Sequence, residues 1–260
     1  MLPQITTQLP PLAATIAPLA GEAIEALEAI SNMGYRAAQL SATQVGTRPR
    51  DLDISGRKDL VVRLRRFGLT CAGLDLWIPP AHYTESAFVD RAVDAVSQAV
   101  TLAAALGRCP VSIALPEQTE KNKSRLQEVR EAIGACAERE GVWIADHGLD
   151  AALGRWSPPS SAALGVGIDP PTLLAGGHDV TATIALARNN VVSARVVDLL
   201  QSGMRGPVHE PHDARLDLDS YAVALAAIPL RYAPVADARQ WIDPRAGLQA
   251  TLRHWRGESS

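Results

Sequence analysis

Short apolar runs alternate with amphipathic segments along most of the chain. Apolar residues at helical spacing predict helices, and continuous apolar runs without alternation predict strands that are buried on both faces. The predicted helices span residues 21–33, 57–67, 84–107, 124–141, 177–188, 220–228 and 243–255. The predicted strands span residues 4–9, 36–40, 69–76, 110–115, 142–146, 165–169, 191–197 and 231–237. This order of helices and strands is typical of parallel βαβ units.

Glycines mark the junctions between predicted helices and the strands that follow them. Gly34, Gly68, Gly107 and Gly141 stand at these junctions, and glycine takes the left-handed conformation that ends a helix at little cost. Eight parallel strands with intervening helices predict an α/β fold, a (β/α)8 TIM barrel. The 260 residues are a usual length for one such barrel, so we expect a single domain over residues 1–260.

An open, doubly wound sheet is the alternative architecture. That fold needs a glycine-rich phosphate-binding loop after its first strand, and the sequence has no such loop there. The GVG run at 165–167 lies inside a predicted strand and has no third glycine. We therefore interpret it as a packing feature of the barrel.

Composition and charge exclude several classes of function. The chain is 47% hydrophobic and 20% charged, with a formal net charge of −3, which indicates a globular protein without a basic surface for nucleic acid. No apolar stretch reaches the length of a membrane span, and the N-terminus lacks the basic region of a signal peptide. Three cysteines, none in a CxxC motif, suggest buried thiols in a reducing cytoplasm.

Candidate chemistry lies at the carboxyl ends of the predicted strands, where barrel enzymes carry their active sites. Trp77, which ends strand three, offers a face on which a sugar ring could stack. The ionisable residues at these strand ends are Asp75, Asp146, His147, Asp169, Arg195, Asp198 and Asp237.

Several segments resemble the xylose-isomerase-like sugar phosphate isomerases and epimerases, a family of TIM barrels. The resemblance covers nearly the whole chain and depends on the order and spacing of individually weak motifs. These motifs are MGYRAAQL, EREGVWIADHG, LGVGIDPPTLLAGGHD, VVSARVVDLL, DARLDLDSYAVALAAI and WIDPRAGLQATLRHWR. The chain is thereby expected to be a divergent xylose-isomerase-like barrel.

The resemblance implies a divalent metal held by a Glu from strand five, an Asp from strand six, a His from strand seven and a Glu from strand eight. A further His usually follows the strand-six Asp by three residues. The two Glu residues move a proton between adjacent carbons of a keto sugar or hydroxy-carbonyl substrate, while the metal stabilises the oxyanion.

The chain departs from this pattern. Asp169 matches the strand-six Asp, but Thr172 stands in place of the further His, and Arg195 stands in place of the strand-seven His. Asp237 is the nearest carboxylate on strand eight. The strand-five Glu aligns either with Asp146 or, if the following His-Gly is the anchor, with Ala145; two of the retained carboxylates would be shortened.

Arg195 argues against a bound metal. A guanidinium about 4 Å from a dication, at an effective dielectric near 20, is repelled by roughly 8 kcal/mol. We expect Arg195 to replace the charge of the metal and to pair with Asp169 across neighbouring strands. A divalent metal such as Mn, Mg, Zn or Co would then bind weakly or not at all, and Asp169 would be a ligand only if a metal is retained.

Two hypotheses about function follow. In the first, the chain is an isomerase or epimerase acting on a small carbohydrate or hydroxy acid, with Asp146 and Asp237 as the acid–base pair and His147 as a further catalytic candidate. Arg195, Asp75 and Trp77 would bind the substrate. In the second, the barrel has lost its metal site and serves ligand binding or protein interaction.

The run HEPHD at 209–213 contains two histidines and acidic neighbours. Its proline and loop context favour a solvated loop over a set of metal ligands. Such a loop could also reach over the mouth of the barrel as a lid.

Overall fold

The computed structural model describes residues 9–19, 21–155, 161–208 and 213–258. Parallel strands close into an eight-stranded barrel, as the sequence predicts. The barrel strands are β1 (Ala13–Thr15), β2 (Ala37–Ser41), β3 (Thr70–Asp75), β4 (Val111–Ile113), β5 (Ile144–Asp146), β6 (Leu164–Ile168), β7 (Val191–Val196) and β10 (Val235–Ala236).

The order of the strands around the barrel follows the chain, and β10 closes it by pairing with both β7 and β1. In the closing pair, Val235 lies opposite Arg195 of β7 and Ala236 lies opposite Val196. This register brings the end of the last strand beside the end of β7. Residues that follow these two strands therefore meet at one side of the barrel mouth.

Helices surround the barrel and bury their apolar faces against it. They are α1 (Ala23–Asn32), α2 (Ile54–Arg66), α3 (Val89–Ala105), α4 (Lys123–Glu140), α5 (Leu149–Ala152), α6 (Pro170–Ala175), α7 (Val180–Ala187), α8 (Leu218–Ala226) and α9 (Pro244–Trp255). None of the described helices is both long enough and apolar enough to cross a membrane.

Gly141 illustrates how the helix-to-strand junctions form. It ends α4 with a φ of 64°, and its N–H reaches back to the carbonyls of the last helical turn. This is the left-handed helix end that the sequence predicts at this glycine. The chain then turns directly into β5.

The first strand lies later in the chain than the sequence predicts. We predicted it over residues 4–9, whereas β1 spans Ala13–Thr15; residues 4–8 lie outside the described residues. The apolar run that forms β1 follows two prolines. The strand begins only after them, because proline has no backbone N–H to donate to a neighbouring strand. Between β5 and β6, Leu149–Ala152 is the helical stretch among the described residues.

A two-stranded hairpin after β7 was not predicted. Its strands β8 (Asp198–Leu199) and β9 (Arg205–Gly206) pair antiparallel, with Asp198 opposite Gly206. Asp198 also orders the returning chain, because its carboxylate accepts the backbone N–H groups of Arg215 and Leu216, both at 2.9 Å. The hairpin places Arg205 over the mouth of the barrel.

Candidate functional site

The carboxyl ends of the barrel strands surround a cavity of about 390 Å³. This volume lies in the range typical of small-molecule sites. Three arginines, two aspartates and one histidine line it. Ser41, Thr43, Ser112 and the exposed Trp77 add polar and aromatic surface. The charged residues and the histidine are Asp75, His147, Asp169, Arg195, Arg205 and Arg239.

Arg195, on β7, is the buried centre of this mouth. Its Nη1 lies 3.3 Å from Asp169 Oδ1, and its Nη2 lies 3.1 Å from Asp75 Oδ1. Its Nε lies 3.5 Å from Asp237 Oδ2. The guanidinium thus contacts three carboxylates from the ends of β3, β6 and β10, and the expected pair with Asp169 is present.

Arg205 approaches the same carboxylates from the hairpin. It forms a two-pronged contact with Asp169, in which Nη1 donates to Oδ2 at 3.0 Å and Nη2 donates to Oδ1 at 2.8 Å. Nη2 also donates to Asp237 Oδ2 at 3.0 Å. Such forked contacts are the strongest that arginine makes with a carboxylate.

Arg239, just after β10, completes the network. Its Nε and Nη2 donate to the two oxygens of Asp237 at 2.7 and 2.6 Å, and its Nη1 donates to Asp75. The Arg205 and Arg239 side chains are 20% and 21% exposed, against 9% for Arg195. The outer two arginines therefore face any ligand that enters from solvent.

The network shifts the acidity of its carboxyl groups. Burial alone would raise the pKa of Asp169, but Arg205 and Arg195 outweigh it and hold that pKa well below its ordinary value. The pKa of Asp237 is lowered in the same way, with Arg239 contributing most against burial. Both carboxylates are ionised at neutral pH, and both are engaged by guanidinium groups, so neither is a ready proton acceptor.

His147 lines the cavity beside this network. Its Nε2 lies 3.2 Å from Ser112 Oγ, while its buried Nδ1 has no hydrogen-bond partner among the described residues. The ring lies against Gly167 so closely that a Cβ there would be 2.5 Å from it. Burial and, next, the charge of Arg195 lower the pKa of His147 well below its ordinary value. The imidazole is therefore neutral at pH 7.

Asp146 lies on the face of β5 that points away from the cavity, and it does not line the cavity. Its Oδ1 accepts the backbone N–H groups of Leu115 at 2.9 Å and Gly148 at 2.8 Å. Burial raises its pKa to about 6. The structure thus does not bring Asp146 together with Asp237, and this placement does not support the predicted acid–base pair.

Side-chain alternation along β5 explains this outcome. Successive residues of a strand point to opposite faces, so His147 and Ala145 share the inner face and Asp146 takes the outer one. The same rule applied to the sequence would have placed His147 and Asp146 on opposite sides. Arg205 and Arg239 were missed because both lie outside the predicted barrel strands: Arg205 is in the unpredicted β8–β9 hairpin, and Arg239 is in the turn after β10.

The mouth does not fit the divalent metal that the family resemblance implies. The inner position of β5 is Ala145, the strand-seven position is Arg195, and Thr172 donates to Asp169 Oδ2 at 2.5 Å in place of a histidine. Across the part of the chain that the structure describes, no three His, Cys, Asp or Glu side chains are arranged to hold a metal ion. The run at 209–212 lies outside the described residues.

Comparison with known proteins shows the fold. No family model matches the sequence, and no curated protein does. The chain superposes on a xylose isomerase domain protein from Planctomyces limnophilus with a TM-score of 0.76 at 17% identity, covering 96% of this chain and 98% of that one.

Two further solved structures are similar over nearly their full length. One is D-psicose 3-epimerase in the presence of D-fructose, with a TM-score of 0.74, 11% identity and coverage of 95% and 97%. The other is the probable 3-DHS dehydratase AsbF of Bacillus anthracis, with a TM-score of 0.77, 8% identity and coverage of 96% and 100%. The fold is that of the xylose-isomerase-like TIM barrels.

Replacing Asp146 by Asn should stabilise the protein at neutral pH. The folded state raises the pKa of Asp146 from 3.8 to about 6, so its stabilising effect is complete below pH 3.8 and is lost as the pH rises through 6. Asparagine keeps the Oδ1 acceptor but cannot ionise. Urea unfolding should show a gain of about 3 kcal/mol at pH 7.5, an order-of-magnitude figure from the pKa shift, that shrinks toward pH 4.

Asp179→Asn is the matched control. Asp179 is an exposed helix cap whose Oδ1 accepts the N–H of Ala182 at 2.9 Å, and its pKa is lowered by that hydrogen bond, so its substitution should bring no gain at pH 7.5. A loss of stability in Asp146→Asn at both pH values would contradict this account.

Proposed function

We propose that the mouth of this barrel binds a small uncharged sugar without a metal ion. The observation that carries the proposal is that each of the three carboxylates at the mouth is already engaged by guanidinium groups. In this arrangement arginine supplies the positive charge that a dication would otherwise supply. None of these three carboxylates is left free to hold a metal.

The balance of charge favours a neutral ligand. Arg195, Arg205 and Arg239 carry three positive charges, and their three aspartate partners carry three negative ones. His147 adds none, because its pKa is lowered well below its usual value. A dication would be repelled by the guanidinium groups, and an anion would meet no excess positive charge.

The hydrogen-bonding groups at the mouth suit a polyhydroxylated molecule. Each Nη of an arginine carries two hydrogens. Within the network, each of the two Nη atoms of Arg239 donates one hydrogen bond. The remaining N–H groups can donate to sugar hydroxyls, and Ser41 and Thr43 can exchange hydrogen bonds with them. Trp77, which is 65% exposed, presents an aromatic face at the rim on which a sugar ring can pack.

The structural neighbours support this class of ligand. They include D-psicose 3-epimerases solved with D-fructose and with D-tagatose, and an L-ribulose 3-epimerase. The shared fold places the mouth of this chain where those barrels also have their strand ends. This mouth would differ from the family pattern by binding its ligand without a metal.

Calorimetric titration with D-fructose, D-tagatose and L-ribulose tests the proposal. We expect at least one of them to bind, with a dissociation constant that changes less than about twofold between EDTA and Mn²⁺. Trp77→Ala should weaken binding roughly fivefold, because aromatic packing of this kind contributes on the order of 1 kcal/mol.

Ile242→Ala is the control, since Ile242 is 94% exposed near the mouth but does not line the cavity. It should leave sugar affinity unchanged. Binding that requires Mn²⁺, or binding of a hydroxy acid such as L-tartrate in place of every sugar, would overturn the proposal.

Epimerisation by metal-free proton transfer is a second candidate function, in which His147 would act as the base. This residue is a neutral base that lines the cavity, and its Nδ1 has no partner within the described part of the chain. Asp146, by contrast, lies outside the cavity, and Asp237 is held by arginines. A neutral imidazole can remove a proton from carbon beside a carbonyl, and the surrounding guanidinium groups can stabilise the oxyanion that forms.

Deuterium incorporation distinguishes turnover from binding alone. If His147 acts as the base, sugar incubated with the protein in D₂O should acquire deuterium at a carbon next to the carbonyl, and His147→Gln should abolish the exchange while retaining sugar binding. Because the pKa of His147 is lowered, the exchange rate should stay flat from about pH 8 to 6.5. Exchange that survives in His147→Gln would rule out this role, and the absence of exchange would leave binding as the function.

A further inference from the structure

Two thiols meet at the end of the barrel opposite the mouth. Cys71 lies near the start of β3, and Cys109 lies two residues before β4. Their Sγ atoms are 3.3 Å apart, and both cysteines are free. This pair belongs neither to the network of arginines nor to the cavity at the mouth.

The backbone geometry is compatible with a disulfide. β3 and β4 are neighbouring parallel strands, with Leu74 opposite Val111. The same offset sets Cys109 opposite Ala72, the residue next to Cys71, and adjacent strands lie roughly 4.8 Å apart. Disulfides join Cα atoms about 4.4 to 6.8 Å apart with a bond of about 2.0 Å. The two sulfurs are 3.3 Å apart, so they need to approach by about 1.3 Å to reach this bond length.

The two thiols differ in access to solvent. Cys71 is partly exposed, whereas Cys109 is 2% exposed and packs beneath α3, with its Sγ 3.9 Å from the carbonyl of Ala103. The contact with Cys71, followed by burial, raises the pKa of the Cys109 thiol well above its usual value. An oxidant therefore reaches Cys71 first, with Cys109 positioned behind it.

From this geometry we infer that Cys71 and Cys109 form a reversible intramolecular disulfide when the protein meets a peroxide. Cys71 sulfur attacks one peroxide oxygen, the O–O bond breaks, and a sulfenic acid and one water (for hydrogen peroxide) result. Cys109 sulfur then attacks the sulfenic sulfur, its proton leaves with the hydroxyl as a second water, and the S–S bond forms. Two thiols are oxidised and one peroxide is reduced; a dithiol reductant reverses the change.

The bond would link β3 to β4 and close a loop of 38 residues that contains α3. Closing such a loop restricts the unfolded chain, so the oxidised protein should melt at a higher temperature, by roughly 5 °C or more. Sugar binding at the mouth should not change, because the pair lies at the other end of the strands.

Intact mass spectrometry after treatment of the folded protein with hydrogen peroxide tests the inference. We expect a species lighter by the mass of two hydrogens, a loss of two alkylatable thiols, recovery of both with dithiothreitol, and a peptide linkage between Cys71 and Cys109. Cys136 is buried and should remain alkylatable after unfolding.

Cys136→Ser is the matched control and should still form the linked species. Cys71→Ser and Cys109→Ala should each abolish it; Cys71 is partly exposed, so the first of these variants is the one expected to fold without disturbance. Oxidation of Cys71 only to sulfinic acid, a bond between two protein molecules, or a linkage through Cys136 would each overturn the inference.

Discussion

One buried guanidinium, that of Arg195, joins three carboxylates that belong to three different strands of the barrel. Carboxylates at these positions are almost fully withdrawn from water, and an ionised group in such a place is costly unless it is paired and hydrogen-bonded. A xylose-isomerase-like mouth can meet this requirement with a dication. This chain meets it with the guanidinium of Arg195, and the other charged side chains of the mouth are arranged around that group.

The fold supplies the two additional cations that the arrangement needs. Three carboxylates exceed the charge of one arginine, and the hairpin formed by β8 and β9 brings Arg205 to Asp169, while the turn after β10 brings Arg239 to Asp237 and Asp75. The charges then cancel within the network. This cancellation explains why the acidic groups stay ionised in a buried site, and it is the basis for proposing a neutral sugar as the ligand.

Most of the barrel, and one contact of its mouth, could be predicted from the sequence. Continuous apolar runs and glycines at helix ends located seven of the eight strands, because those signals depend on local conformation. The Arg195–Asp169 pair was also predicted, since both residues end neighbouring strands. The outward orientation of Asp146 was missed, although the alternation of side chains along β5 would have predicted it. The contributions of Arg205 and Arg239 could not be predicted, because the positions of the β8–β9 hairpin and of the turn after β10 are fixed by tertiary contacts.

Anomalous diffraction from crystals grown with Mn²⁺ tests most directly whether arginine has replaced the metal. The account predicts no manganese peak among Asp75, Asp169 and Asp237, with the guanidinium of Arg195 lying between them in the electron density. A manganese peak within about 2.0 to 2.6 Å of these carboxylate oxygens, with Arg195 turned away from them, would contradict it.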